Sequence, residues 1–163
     1  MGTGAVVGLS SGVDRDVQEL VYRSCMLLDE NDFMGWIGLC APSFRYTITA
    51  WSPEIRREQT WLDHDYEGIS NLMKMLPKHN TLMAPMRRHA VVNSIEYDDA
   101  KKQATVTTSF VIFRITLDGG VPETYAVGRY LDTVSLEGDA PRLTRRQVKL
   151  DTRNFGIGTH WPL

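Results

Sequence analysis

From residue 88 to residue 151 the chain is a succession of four long runs of strand-forming residues cut by short turns, and any fold must accommodate this meander. The runs, 88–97, 105–117, 124–136 and 143–151, are rich in Val, Thr, Ile, Phe and Tyr. Asp98-Asp99-Ala100-Lys101 separates the first pair, Asp118-Gly119-Gly120 the second and Glu137-Gly138-Asp139 the third, all of them hairpin signals.

The preceding half has a different period. Val17, Leu20, Val21, Ser24, Leu27 and Leu28 recur at helical spacing within residues 13–30, and Asp14 can cap the start. Asp29-Glu30-Asn31-Asp32 then leads into a second short helix over 33–39, stopped by Pro42. Residues 44–51, with Tyr46, Thr47, Ile48 and Thr49, have strand composition. Ser52-Pro53-Glu54 reads as a helix start, with Ser as N-cap and Pro at the first position. Ile69, Leu72, Met73 and Leu76 place an amphipathic helix over 65–76, ending before Pro77. Helices followed by four strands predict an α+β domain, an antiparallel sheet curved around helices on one face.

At 163 residues the chain suits one domain. Residues 1–12 are expected to form a flexible tail and 13–163 a single domain. The first ten residues lack the basic head of a signal peptide, and Val6 stands where a myristoylation signal needs Ser or Thr. Cys25 and Cys40 lie in apolar surroundings, so buried thiols are expected rather than a disulfide, and with them a cytoplasmic location. A net charge of -2 gives no footprint for nucleic acid or an anionic membrane. No apolar run approaches the ~20 residues of a membrane helix.

The sequence also lacks the arrangements that carry common chemistries. A Rieske cluster needs two Cys and two His in close pairs, and neither cysteine has a histidine within two positions. A mononuclear iron triad needs two His and a carboxylate, but His64, His79, His89 and His160 fall on different elements. His64 and Glu67, three apart, could share a helix face, where solvated surface is the plainer reading than a metal site. Neither a nucleotide-binding glycine loop nor a Gly-x-Ser-x-Gly elbow occurs.

The strand region carries an ordered set of motifs. Arg87-Arg88-His89-Ala90-Val91-Val92-Asn93 comes first, and Val106-Thr107-Thr108-Ser109-Phe110-Val111-Ile112-Phe113-Arg114 follows. Next come Tyr125-Ala126-Val127-Gly128-Arg129-Tyr130-Leu131-Asp132 and Arg145-Arg146-Gln147-Val148-Lys149-Leu150-Asp151. With Leu27-Leu28-Asp29, Phe33, Trp36 and Tyr46 upstream, this order resembles the β subunits of aromatic-ring-hydroxylating dioxygenases over residues 13–151. Residues 46–49, 51–56 and 61–65 are similar to the methanesulfonate monooxygenase branch, whereas the tail from Thr152 departs from the usual ending.

The resemblance implies a cone-shaped fold of the nuclear-transport-factor-2 (NTF2-like, cystatin-like) type and a structural or assembly subunit. It implies no cofactor in this chain. A Rieske 2Fe-2S cluster and a mononuclear iron would sit in a large α subunit, fed with electrons from NADH by a reductase or ferredoxin. It also implies self-association, a trimer within an α3β3 assembly, on aromatic or related small substrates.

Lyases and isomerases of the same cone fold work at the mouth of the cone. Asp32, Tyr46, His64 and His89 could line such a mouth as an acid–base pocket; the plainer reading is a polar cluster that satisfies helix ends and sheet edges. His89, beside Arg87 and Arg88, suits a structural or interface role better than a ligand. Arg129, Arg145 and Arg146 are expected to be polar anchors of a docking face, and exposed members of Trp36, Trp51, Trp61 and Trp161 its apolar contacts.

Overall fold

The computed structural model describes residues 11–79, 84–153 and 162–163. Helices α1 (Ser11–Asp29) and α2 (Phe33–Ile37) lead into the hairpin of β1 (Cys40–Ser52) and β2 (Arg57–Asp65), followed by α3 (Tyr66–His79). Strands β3 (Met86–Asp98), β4 (Gln103–Ile115), β5 (Pro122–Ser135) and β6 (Arg142–Leu150) complete a six-stranded sheet of order β2-β1-β6-β5-β4-β3. All pairings are antiparallel except β1 with β6. This is the α+β cone that the resemblance implies.

The elements follow from their patterning. Val17, Leu20, Val21, Ser24, Cys25 and Leu28 of α1 are buried, and Ile69, Met73 and Leu76 of α3 join the same core. Along β6, Leu143, Arg146, Val148 and Leu150 are buried, while Arg142 and Arg145 are exposed. The turn between β4 and β5 places Gly119 and Gly120 at φ 76° and 62°, where a Cβ would be strained.

Five expectations are corrected. Ser52-Pro53-Glu54 starts no helix: it turns β1 into β2, with Arg56 at φ 49° and the Ser52 hydroxyl donating to Glu54 at 2.8 Å. A helix here would leave the outer edge of β1 unpaired, whereas β2 supplies its hydrogen bonds. His64 therefore lies in a strand while Glu67 lies in the first turn of a helix, and the two share no helix face. Pro42 lies in β1 at the register break between Cys40 and Arg45, where its missing N–H costs no ladder bond. Pro77 sits inside α3, in its last turn. Helix α1 also takes in Ser11 and Gly12, assigned to the tail; residues 1–10 of that tail lie outside the described residues.

Gly128 shows how closely the strands approach. A Cβ there would sit 2.4 Å from the Lys149 carbonyl oxygen of β6, beside the point where the Asp151 and Thr152 amides both reach the Val127 carbonyl. Because the obstacle is backbone, Gly128→Ala should destabilise by about 1–3 kcal/mol, the usual cost of overpacking; a denaturant midpoint unchanged from wild type would contradict this close approach.

Candidate functional site

The cone interior holds charge. Asp132 on β5 and Arg146 on β6 face each other in register, and both side chains are 0% exposed. The guanidinium donates from Nε and Nη2 to the two carboxylate oxygens, both at 2.8 Å, and from Nη1 to the Ser24 hydroxyl of α1 at 3.0 Å. It also lies 4.3 Å from the Tyr130 ring centre. Burial disfavours its charge, but the Asp132 carboxylate outweighs this and holds the Arg146 pKa above its usual value.

A second pair closes the end of α1. Arg88 on β3 donates from Nη1 to Asp29 at 2.7 Å, and its backbone amide reaches the same carboxylate at 3.0 Å. Asp29 thereby ties the last residue of α1 to β3. The two cysteines are free and buried; burial raises both thiols, Cys40 to about 12, which disfavours the thiolate.

The proposed acid–base pocket does not assemble. Tyr46 points inward, its ring edge-on to Trp36 at 5.6 Å and 89°, and stands opposite His64 across the β1–β2 pair. Asp32 is exposed and caps α2 through the Gly35 amide at 2.9 Å. His89 points outward and packs edge-on against Phe113 at 5.5 Å. The cone thus brings Tyr46 and His64 together and leaves Asp32 and His89 out. Among the described residues, no three His, Cys, Asp or Glu side chains gather as a metal site requires; His160 and Trp161 lie outside them.

The docking anchors divide as well. Arg146 is a core residue, so its expected place on the surface is corrected: alternation along β6 puts it with Val148 and Leu150. Arg129 and Arg145 are exposed on the opposite face. There Arg129 is in register with Lys149, and Arg145 with Arg45, so like charges stand side by side. Arg45 is offset by Asp63 at 2.8 Å, and Lys149 lies 3.9 Å from Glu58. Trp51 and Trp61 are exposed, while Trp36 is buried. Sequence reasoning missed the buried pairs Asp29–Arg88 and Asp132–Arg146; for the second, the two-residue period of β5 and β6 was the available signal.

Two predictions follow from the buried groups. Arg146→Met or Asp132→Leu alone should cost about 3–5 kcal/mol by stranding a charge, while the pair of changes together should recover most of it; additive losses in denaturant unfolding would contradict this. Burial also pushes Tyr46 up to about 12 from an ordinary value near 10. A folded-state pKa raised in this way favours the neutral phenol, so this contribution is intact below pH ~10 and declines as pH rises toward 12. Tyr46→Phe should flatten that alkaline decline, a comparison that unfolding midpoints between pH 9 and 12 can make.

The family described as ring hydroxylating beta subunit matches residues 23–156. The methanesulfonate monooxygenase hydroxylase subunit beta of Methylosulfonomonas methylovora is 35% identical, over 95% of this chain and 94% of that protein. The 2-aminobenzenesulfonate 2,3-dioxygenase subunit beta of an Alcaligenes species is 31% identical, over 90% and 97%. A solved β-subunit structure from Novosphingobium aromaticivorans, assigned to an aromatic-ring-hydroxylating dioxygenase, superposes with a TM-score of 0.74 at 20% identity, over 88% of this chain and 92% of that one. The α+β cone, the order of the strand motifs and these matches together establish that this chain belongs to the ring-hydroxylating β-subunit family, the structural subunits of ring-hydroxylating oxygenases, which work with an α subunit.

Proposed function

We propose that this chain is the assembly subunit of an oxygenase that hydroxylates a small organosulfonate. In this reading a large α subunit carries the Rieske 2Fe-2S cluster, the mononuclear iron and the substrate pocket, and three copies of each chain form the α3β3 particle. The observation that carries the assembly role is the contrast between the two faces of the sheet. The inner face is filled by apolar side chains and two neutralised arginines. The outer face presents Arg129 and Arg145 without an ion pair among the described residues, beside exposed Trp51, Val91 and Val127. Arginines flanking apolar surface suit planar pairing with a neighbour's acids. The organosulfonate rests on both named relatives acting, by their names, on sulfonates. The reading places this chain in the cytoplasm; among the described residues no helix is long and apolar enough to cross a membrane.

The chain, co-expressed with a large subunit bearing the Rieske Cys and His pairs, should co-purify with it and support oxidation of methanesulfonate or 2-aminobenzenesulfonate. Arg129→Glu and Arg145→Glu should weaken assembly in sedimentation while the chain still folds. The docking face would be wrong if both variants assembled like wild type, and the subunit role would be wrong if wild-type chain bound no large subunit.

A further inference from the structure

The peptide group between Pro162 and Leu163 is held on both sides inside the cone. Its carbonyl accepts from Arg88 Nη2 at 2.6 Å, and its N–H donates to the Tyr46 hydroxyl at 2.9 Å. Leu163 is 1% exposed and belongs to the same core as Trp36, Phe44 and Tyr46. Arg88 lies on β3 and Tyr46 on β1, and in the sheet these strands are separated by β6, β5 and β4. No strand pairing joins them, so this single peptide unit bridges two distant parts of one curved sheet.

Both holding groups are also held by the rest of the chain. Asp29 grips Arg88, and the edge of Trp36 packs on Tyr46. Two residues buried in a core must place their backbone polar groups on partners, and here the partners are side chains rather than a strand ladder. Arg88 Nε has no partner among the described residues. Without the segment, Nη2 would join it, leaving two buried donors on one guanidinium, and the Tyr46 hydroxyl would lose the N–H that it accepts.

We propose that the cone is a receptor for its own 162–163 segment: the Pro162–Leu163 peptide group is a crossbar that clasps β1 to β3 and fills the interior that a small-molecule ligand would otherwise enter. The ligand class that this receptor takes is an apolar peptide unit, read by one guanidinium donor and one phenol acceptor. The Asp29–Arg88–Pro162 chain extends the clasp to the end of α1.

The test is a thermal-unfolding cycle on the full chain, with Tyr46→Phe and the replacement of Pro162-Leu163 by Gly-Ser, singly and together. Phe keeps the ring and loses only the hydroxyl. In the unaltered chain it should lower the midpoint by about 3 °C, and in the Gly-Ser background by less than about 1 °C, because without the Pro162 and Leu163 side chains nothing seats the peptide group in the core against the hydroxyl. Equal losses in both backgrounds, or none in either, would overturn the clasp. Should the Gly-Ser chain fail to fold, amide exchange at Leu163 in the unaltered chain decides. Exchange slowed by about 100-fold or more, and released by Tyr46→Phe, supports the crossbar; exchange at the free-peptide rate ends it.

Discussion

The Asp132–Arg146 pair is the constraint on which the rest of the sheet depends. Two ions without solvent exposure survive only when each satisfies the other, and here the fork of the guanidinium meets both carboxylate oxygens. The residues face each other directly across β5 and β6. Slipping that pairing by one residue so that Asp132 met Gln147 would turn Arg145 inward with no acid opposite it and would strand Asp132. The pair therefore acts on register, and through Ser24 it also fixes how α1 lies on the sheet. It contributes more to the choice of one arrangement than to net stability, since a well-packed apolar pair could occupy the same volume.

Much of this architecture is legible in the sequence, and the residues show why. Helix α1 was marked by Val17, Leu20, Val21 and Leu28 because one apolar stripe packs on one sheet. The meander from β3 to β6 was marked by turn chemistry that few other conformations accept, as Gly119 and Gly120 show with their positive φ. The β1–β2 hairpin was not legible. Ser52-Pro53-Glu54 satisfies the local rules for a helix start, and the need of β1 for an edge partner, a tertiary demand, overrode them. The parallel β1–β6 contact lies beyond local reading for the same reason: it joins residues about a hundred positions apart.

The candidate site was less legible than the fold because residue type says little about which way a strand residue points. Asp32, Tyr46, His64 and His89 were grouped by chemistry, yet only Tyr46 and His64 come to face one another. Asp32 is spent on the first turn of α2, and strand alternation turns His89 to the outside while its neighbour Arg88 goes in. A lyase needs an acid and a base converging on a substrate in an open pocket. The cone instead encloses neutralised ion pairs and an edge-packed aromatic cluster.

Arg145 and Arg146 show how one fold divides these duties. They are adjacent and chemically identical, and the two-residue period of β6 sends them to opposite faces. Inward, the guanidinium meets a carboxylate, a hydroxyl and an aromatic ring, so its charge is spent within the chain. Outward, Arg145 stands in register with Arg45, on the exposed face that also carries Asp63. An interior charge that is satisfied bears on how the strands pair, and an exterior charge keeps its face of the sheet polar. The pleat of a single strand thus sends two identical side chains into opposite environments one residue apart.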